Sequence, residues 1–233
     1  MISEYGTSFF DFEGKVALLI FTQGCNYDCW FCFARPLKEE KNKLTNIPEV
    51  IEHLSGKLDL YQAVVVTGGE PTIWGSRLVD FLESINTFGL PIKLDTNGSR
   101  PKVLEKLLDK GLLTVVALDI KHDLFNFERM AETIGVQYGA REWQALMDSM
   151  AFLSRYSNVQ KIYRTTLIPT LNEVHFIKIL RTVERFWDKN SVYHVQRYDH
   201  TVADIPIYGE DPDLESYEKV LNSFGFKYRF KNF

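Results

Sequence analysis

The sequence predicts an α/β protein whose six parallel strands form an open, three-quarter barrel, a partial (β/α)6 version of the TIM barrel. Short runs rich in Val, Ile, Leu and Thr alternate with longer amphipathic segments, and this strand–helix unit recurs about six times. Strands that alternate with helices form parallel sheets with right-handed crossovers. Six units are too few to close an eight-stranded barrel, so we expect the sheet to curl and stay open. A flat, doubly wound sheet is the structural alternative, because periodicity does not separate the two.

The predicted strands are rich in Val, Ile, Leu and Thr, as expected for strands buried on both faces of a parallel sheet. They cover residues 16–22, 63–67, 92–95, 114–120, 161–168 and 191–195. The predicted helices between them cover residues 48–54, 77–88, 101–109, 142–155 and 173–187. Pro48 and Pro101 suit a first helical turn, and Gly89 and Gly111 suit helix ends. A further helix at 214–224 and a strand at 227–230 are expected after the sixth unit.

Length and composition indicate one globular domain over residues 1–233, with a core at about 14–200 and a C-terminal extension at about 201–233. The chain is 45% hydrophobic and 25% charged, and its net charge is −4. Proteins that bind nucleic acids or membrane surfaces usually carry a basic patch, so we expect neither partner. Residues 1–10 lack the basic and apolar regions of a secretory signal, which predicts a cytoplasmic location. The charged run at 38–43 is interpreted as a solvated loop.

All three cysteines, Cys25, Cys29 and Cys32, lie within eight residues directly after the first predicted strand. An odd, clustered set does not fit a disulfide framework, which leaves a metal site, catalysis or chance. Three thiolates on one loop can hold three corners of an iron–sulfur cube and leave the fourth iron open for catalysis. A structural zinc site needs a fourth ligand, and the next histidine, His53, is 21 residues beyond Cys32. Zinc with a remote histidine and unligated cysteines remain as alternatives.

Further polar motifs follow the later strands. Residues 67–71 read Thr-Gly-Gly-Glu-Pro, in which glycines allow close backbone approach and a carboxylate can bind an ammonium group. The other motifs are Leu-Asp-Thr-Asn-Gly at 94–98, Ala-Leu-Asp-Ile-Lys at 117–121, Arg-Thr-Thr-Leu-Ile-Pro at 164–169 and Gln-Arg-Tyr at 196–198. Taken alone, each is also compatible with a turn or a structural ion pair. The stronger motifs, however, all fall at the carboxyl ends of successive strands, where parallel barrels place their chemistry.

The Cys-x3-Cys-x2-Cys spacing on a strand–helix loop, followed one strand later by Gly-Gly-Glu-Pro, resembles the radical S-adenosylmethionine superfamily. The resemblance covers roughly residues 5–200. It implies a [4Fe–4S] cluster on Cys25, Cys29 and Cys32, with S-adenosylmethionine as the second cofactor. It also implies that one electron from the cluster breaks the S–C5′ bond and yields a 5′-deoxyadenosyl radical.

The resemblance implies a set of cofactor contacts as well. Phe31 occupies the place of an aromatic residue near the adenine, and the Gly-Gly-Glu-Pro segment that of the part holding the amino group. Lys121 is expected to neutralise a carboxylate, and Arg164 to contact the ribose or a carboxylate. The full expected set is Phe31, Gly68, Gly69, Glu70, Pro71, Asp95, Asn97, Asp119, Lys121, Arg164 and Gln196. Three histidines, His175, His194 and His200, are expected to be surface or packing residues.

Within the superfamily, the chain resembles the glycyl-radical-enzyme activases, and most nearly the long form of the anaerobic ribonucleoside-triphosphate reductase activating protein. Residues 8–16, 21–26, 93–101 and 117–121 carry this resemblance. It implies hydrogen abstraction from a glycine of a partner enzyme, with electrons from a flavodoxin or ferredoxin. The absence of cysteines beyond the triplet argues against members with auxiliary clusters. The alternatives are another partner such as pyruvate formate-lyase, a small-molecule enzyme of the 7-carboxy-7-deazaguanine synthase type, and a non-catalytic metal-binding protein.

Overall fold

A computed structural model describes residues 1–38, 44–198 and 212–231. This part of the chain contains an eight-stranded sheet in which neighbouring strands follow the chain order. The strands are β1 (Ile2–Ser8), β2 (Ala17–Thr22), β3 (Ala63–Gly68), β4 (Ile92–Thr96), β5 (Val115–Asp119), β6 (Gln160–Leu167), β7 (Ser191–Arg197) and β8 (Tyr228–Lys231). Strands β2 to β7 are the six predicted ones, and β8 is the predicted terminal strand.

The sheet is a partial barrel. Strands β2 to β8 run parallel, and β1 pairs antiparallel with β2. The strand order lacks the reversal that defines a doubly wound sheet, so that alternative is wrong. Among the described residues the order begins at β1 and ends at β8, which leaves the barrel open between these edges. The sequence analysis missed β1 because five of its seven residues are Ser, Glu, Gly or Thr and form no apolar run.

The helices are α1 (Ile47–Ser55), α2 (Ser76–Asn86), α3 (Pro101–Asp109), α4 (Phe127–Ile134), α5 (Ala140–Ser154), α6 (Glu173–Glu184) and α7 (Leu214–Phe224). Short 3-10 turns occur at Arg35–Leu37 and Pro71–Trp74. Every predicted helix is present, and α4, with eight residues, was not predicted. The Asn126 side chain caps its start by accepting a hydrogen bond from the Arg129 amide, and Gly135 ends it in the left-handed conformation.

Side chains alternate between the barrel interior and the surrounding helices. Val64 and Val66 of β3 point outward into a core shared with α1, α2 and α3. Ala63 and Val65 point inward, toward Ala17 of β2. A second outward core joins β5, β6 and β7 to helices α4 to α7. The small inward residues leave space along the barrel axis toward the carboxyl ends of the strands.

The C-terminal extension is described from residue 212 to residue 231. Helix α7 contacts α6, and β8 extends the sheet beside β7. His200 and most of the charged run at 38–43 lie outside the described residues, so their interpretation stays a prediction. None of the helices in the described ranges is long and apolar enough to cross a bilayer.

Candidate active site

A cavity of about 320 Å³ lies at the carboxyl ends of the strands and gathers the predicted motifs. The predicted residues in its lining are Cys25, Cys29, Phe31, Cys32, Gly68, Gly69, Glu70, Asp95, Asn97, Asp119, Lys121, Arg164 and Gln196. Pro71, the one remaining predicted residue, is buried at the start of a 3-10 turn and does not line the cavity. Residues that are more than 100 positions apart in sequence therefore face one another across a single space.

The cysteine loop follows β2 directly. Cys29 is buried, Cys25 and Cys32 are partly exposed, and all three are free thiols. The Tyr27 amide donates to Cys25 Sγ at 3.4 Å, and the Cys32 amide donates to the Cys29 carbonyl at 3.1 Å. Burial raises the pKa of Cys25 to about 11 and that of Cys29 to about 12. Without a metal these two thiols therefore keep their protons at neutral pH.

The three cysteines fit an iron–sulfur cube. Each thiolate of such a cube binds a different iron, so the three sulfurs surround a volume rather than meet at one point. In the described ranges, no three His, Cys, Asp or Glu side chains meet closely enough to hold one metal ion. The sulfurs instead line a cavity that also has room for a small molecule beside them. Metal binding displaces the thiol protons, which makes assembly of the site pH-dependent.

Two glycines bring the loop after β3 against the cysteine loop. The Gly69 amide donates to the Thr22 carbonyl at 2.9 Å, and the Glu70 amide donates to the Gly24 carbonyl at 2.8 Å. A Cβ on Gly69 would lie 1.9 Å from the Gly24 carbonyl oxygen, and Gly68 has a φ of +113°. Only glycine fits at either position. The Gly-Gly pair therefore sets the position of the backbone that leads into Cys25.

Glu70 ties the loop after β3 to the loop after β4. Its carboxylate accepts hydrogen bonds from the Thr72 amide (3.1 Å), the Thr72 hydroxyl, the Thr96 hydroxyl (2.7 Å) and the Asn97 amide (2.7 Å). Only 1% of the residue is exposed, and this burial raises the pKa of Glu70 although the four donors oppose the rise. Three of the four donors contact Oε1, and only the Asn97 amide contacts Oε2. The role of this carboxylate in the geometry is to hold two loops together at the cavity wall.

Asn97 joins the loop after β4 to the cysteine loop. Its Nδ2 donates to Asn26 Oδ1 at 3.1 Å, and the Asn26 side chain donates to Ser99 Oγ at 2.9 Å. The Ser99 amide in turn donates to Asn97 Oδ1 at 2.9 Å. The residue after Cys25 is therefore held by side chains from a strand end 70 positions away.

A chain of alternating charges runs along the cavity wall. Arg164 Nη1 lies 2.9 Å from Asp95 Oδ2, its Nε donates to Asp119 Oδ1, and Lys121 Nζ lies 2.7 Å from Asp119 Oδ2. Lys93 Nζ contacts the other oxygen of Asp95 at 3.0 Å. Burial would raise the pKa of Asp119, but the charges of Arg164 and Lys121 outweigh it and hold that pKa at about 2. Asp119 is therefore ionised at neutral pH, and the pKa values of Lys121 and Arg164 are raised by this carboxylate.

Aromatic rings cover one side of the cavity. Lys121 Nζ lies 5.7 Å from the centre of the Phe31 ring, a cation–π contact between the cysteine loop and the end of β5. Trp30 packs edge-on against both Phe31 and Tyr198, with ring centres 5.6 and 5.4 Å apart. Trp30, interpreted from sequence as a packing residue, thus connects the cysteine loop to the end of β7.

Gln196 lies at the end of β7, where its Oε1 accepts a hydrogen bond from the Thr166 hydroxyl at 3.3 Å. His194, two residues earlier on β7, is absent from the cavity lining. His175, on α6, is also absent from it and lies 3.1 Å from Asp123 Oδ2. Neither histidine lines this cavity, and their interpretation as packing residues stays a prediction.

Several lining residues were not singled out from the sequence. They are Asp11, Leu19, Phe21, Tyr27, Phe33, Ala34, Thr67, Thr96, Thr166, Arg197 and Tyr198. The last five belong to motifs that were noted, and Asp11 and Phe21 belong to segments that carry the activase resemblance. Period-two alternation could have found Leu19 and Phe21, because they share a face of β2. Asp11 lies in the segment 8–16 that carries the activase resemblance, but its role was not predicted; its carbonyl accepts a hydrogen bond from Lys93 Nζ at 2.9 Å across 82 positions.

Comparisons with known proteins support the family resemblance that the sequence motifs indicate. The profile of the Radical SAM superfamily matches residues 19–183, well over half of the chain. A relative from Methanocaldococcus jannaschii, provisionally named a glycyl-radical enzyme activating enzyme, is 28% identical over 193 residues, which are 81% of this chain and 75% of that protein. A 7-carboxy-7-deazaguanine synthase from Hyperthermus butylicus is 32% identical, but over 39% of this chain and 38% of that protein.

Two solved structures share the fold. Streptococcus suis SuiB, bound to S-adenosylmethionine, aligns with 92% of this chain at a TM-score of 0.67 and 15% identity, and the chain spans about half of SuiB (49%). A radical SAM methyltransferase from Sphaerobacter thermophilus aligns with 97% of this chain and 68% of its own length, at a TM-score of 0.68 and 13% identity. The profile match, the open parallel barrel and the cysteine-lined cavity agree, and the chain belongs to the radical SAM superfamily, whose cofactors are a [4Fe–4S] cluster and S-adenosylmethionine.

Proposed function

We propose that this chain cleaves S-adenosylmethionine reductively and uses the radical to abstract a hydrogen atom from a glycine of a partner enzyme. The first candidate partner is the anaerobic ribonucleoside-triphosphate reductase, with a flavodoxin or ferredoxin as the electron donor. The observation that carries the proposal is the convergence of the three cysteines and the strand-end motifs on one cavity of about 320 Å³. That volume falls within the usual range for small-molecule sites.

The proposed ligands of the cluster are Cys25, Cys29 and Cys32. When bound, the cluster supplies the electron that breaks the S–C5′ bond of S-adenosylmethionine and leaves a 5′-deoxyadenosyl radical. The two loops that Glu70 joins form the wall beside Cys25 and keep the backbone around it rigid. A rigid, desolvated wall limits the access of water to a reactive radical.

The charged wall suits the zwitterionic end of S-adenosylmethionine. Lys121 offers a cation for the carboxylate of the cofactor, and Asp119 orients that cation at 2.7 Å. Arg164 is held by two carboxylates, so in this proposal it positions Asp95 and Asp119 and contacts the cofactor through its remaining N–H groups. Phe31 lies over Lys121 at the aromatic side of the cavity, where it provides a surface for the adenine.

The glycine substrate is supported by two observations. The relative from M. jannaschii that covers most of this chain is named as an activase of glycyl radical enzymes. The barrel is also open between β1 and β8 in the described residues, and a loop of a partner protein needs such an opening to reach the cavity. A small-molecule reaction of the 7-carboxy-7-deazaguanine synthase type is the second candidate, because such an enzyme matches part of the chain.

The cofactor part of the proposal is tested by anaerobic reconstitution with iron and sulfide, followed by reduction in the presence of S-adenosylmethionine. We expect the visible absorbance of an iron–sulfur cluster and the formation of 5′-deoxyadenosine. The Cys29→Ala variant should show neither, and Cys29→Ser serves as the conservative comparison. Wild-type protein that binds no cluster, or that releases no 5′-deoxyadenosine, contradicts the enzymatic proposal as a whole.

The partner is tested separately. Reconstituted protein is mixed with a glycyl radical enzyme from the same organism, and the mixture is examined by electron paramagnetic resonance. A glycyl doublet that depends on S-adenosylmethionine supports the activase. Formation of 5′-deoxyadenosine without a doublet on the anaerobic reductase or on pyruvate formate-lyase contradicts the activase assignment alone. Formation of a 7-carboxy-7-deazaguanine product would then support the second candidate.

A further inference from the structure

Helix α4 contacts the cysteine loop at the residue before Cys29. The Asp28 amide donates a hydrogen bond of 2.6 Å to the Ile134 carbonyl, the last residue of the helix. The next residue, Gly135, has φ +66° and ψ 16°, and lies directly against the Asp28 backbone. This contact joins parts of the chain that are more than 100 positions apart. The two loops that follow β3 and β4 support the other end of the cysteine loop, near Cys25 and Asn26.

Glycine is the only kind of residue that fits at position 135. A Cβ at this position would lie 2.3 Å from the Asp28 carbonyl oxygen and 2.9 Å from its carbonyl carbon. Real Cβ atoms are not found so close to backbone atoms, and the backbone on either side cannot yield as a flexible side chain could. Any larger residue must therefore push α4 and the cysteine loop apart.

We propose that Gly135 is a positioning residue for the cluster, because it lets the end of α4 hold the backbone of Asp28 and thereby fixes Cys29. This inference rests on the proposed role of the three cysteines as cluster ligands. In this arrangement α4 supports the cysteine loop at a second point. The Gly-Gly-Glu loop holds it before Cys25, and α4 holds it between Cys25 and Cys29. Helix α4 follows the segment that carries Lys121, so the same connection borders both the cluster loop and the charged wall.

The chain contains a matched control for this proposal. Gly225 ends α7 with φ +66° and ψ 22°, nearly the backbone conformation of Gly135, but a Cβ there would meet nothing within 4 Å. Alanine at either position carries the same left-handed strain. Asparagine tolerates that conformation better but keeps the Cβ. The four variants Gly135→Ala, Gly135→Asn, Gly225→Ala and Gly225→Asn therefore separate the steric contact from the strain of the backbone.

The variants are reconstituted anaerobically, and the measurements are iron per chain, the paramagnetic resonance spectrum of the reduced cluster and the rate of iron loss to a chelator. We expect both Gly135 variants to lose iron about tenfold faster or more than wild type, with an altered spectrum. Both Gly225 variants should match wild type. Gly135 variants that retain wild-type spectra and iron loss overturn the proposal. A wild-type protein that binds no cluster contradicts the proposed function instead.

A second measurement keeps the proposal testable if the Gly135 variants fold poorly. The Asp28 amide donates to the Ile134 carbonyl, so hydrogen exchange of this amide in the wild-type apoprotein reports on the contact directly. We expect this amide to be protected at least tenfold relative to an unstructured peptide. Exchange at the unstructured rate would overturn the proposal without any variant.

Discussion

Replacing Glu70 with glutamine removes a negative charge and one acceptor from a carboxylate that four donors surround. In the better orientation, the amide oxygen of the new side chain keeps the two donors of Thr72 and the hydroxyl of Thr96. Its NH2 group then faces the Asn97 amide, which now donates at 2.7 Å and would lose its acceptor. The new NH2 group and the Asn97 amide are then two donors that face each other at a residue of which only 1% is exposed to solvent.

The expected loss of stability follows from these contacts. A buried donor without a partner costs about 1–3 kcal/mol, and the three retained hydrogen bonds lose their charge-assisted strength. The sum is about 3 kcal/mol in the free energy of unfolding. For a chain of this length that corresponds to a decrease of about 6–12 °C in the melting temperature.

Urea and thermal unfolding of the reduced apoprotein at pH 7 measure this loss. Glu49→Gln is a suitable control, because Glu49 is exposed and accepts one hydrogen bond from Tyr5, and we expect a change below about 0.5 kcal/mol. A loss of less than about 1 kcal/mol for Glu70→Gln would refute the reasoning. A near-normal stability combined with a large loss of S-adenosylmethionine affinity would show that Glu70 acts on the cofactor and not as a tie between loops.

Three further predictions concern the cysteine loop, its supports and pH. Cys29→Ala should abolish cluster binding while the far-ultraviolet circular dichroism of the apoprotein stays the same; a fully loaded variant would contradict the assignment of this ligand. Gly69→Ala should destabilise the apoprotein by more than about 2 kcal/mol, in the upper range for overpacking, because its Cβ would lie 1.9 Å from the Gly24 carbonyl oxygen. The control Gly14→Ala, with φ +68° and no neighbour within 4 Å, should cost about 1–2 kcal/mol from backbone strain alone. Equal losses of the two variants in urea unfolding would argue against the clash. Burial lowers the pKa of His122 to about 4, below the value of 6.5 in an unfolded chain. Between these two values the unfolded state binds a proton that the folded state does not. The free energy of unfolding therefore falls by about 2 kcal/mol through this residue as the pH decreases from 7 to 5. His122→Gln should flatten that decrease, and an unchanged pH profile would contradict the prediction.

The alternation of strands and helices was readable from the sequence because strands buried on both faces must be apolar. This rule found β2 to β7 and, through turn residues, most helix ends. It failed for β1, which lies at the edge of the sheet and needs no apolar run. It also missed α4, a helix of eight residues that lies between β5 and α5. Both missed elements have a role at the site: β1 borders the opening of the barrel, and α4 contacts the cysteine loop.

The candidate site likewise has features that could be predicted from the sequence and features that could not. The cysteine triplet was recognisable because its ligands are close in sequence, and the later motifs were recognisable because parallel strands end on one face. The partners of those residues were not. Glu70 was expected to bind an ammonium group, and the geometry adds that four donors of the protein contact its carboxylate. Arg164 was assigned a cofactor contact, and the geometry adds that it bridges Asp95 and Asp119.

The sequence by itself determined the local features: which segments are strands, which loop carries the thiols, and which polar residues stand at the strand ends. These depend on neighbours within a few positions, where spacing maps directly onto geometry. Only the tertiary structure decided which groups meet across the barrel, such as Asn97 with Asn26 or Gly135 with Asp28. The physical reason is that these contacts depend on the curl of the sheet and the placement of the crossovers. Both result from packing of the whole chain, and no short segment encodes them.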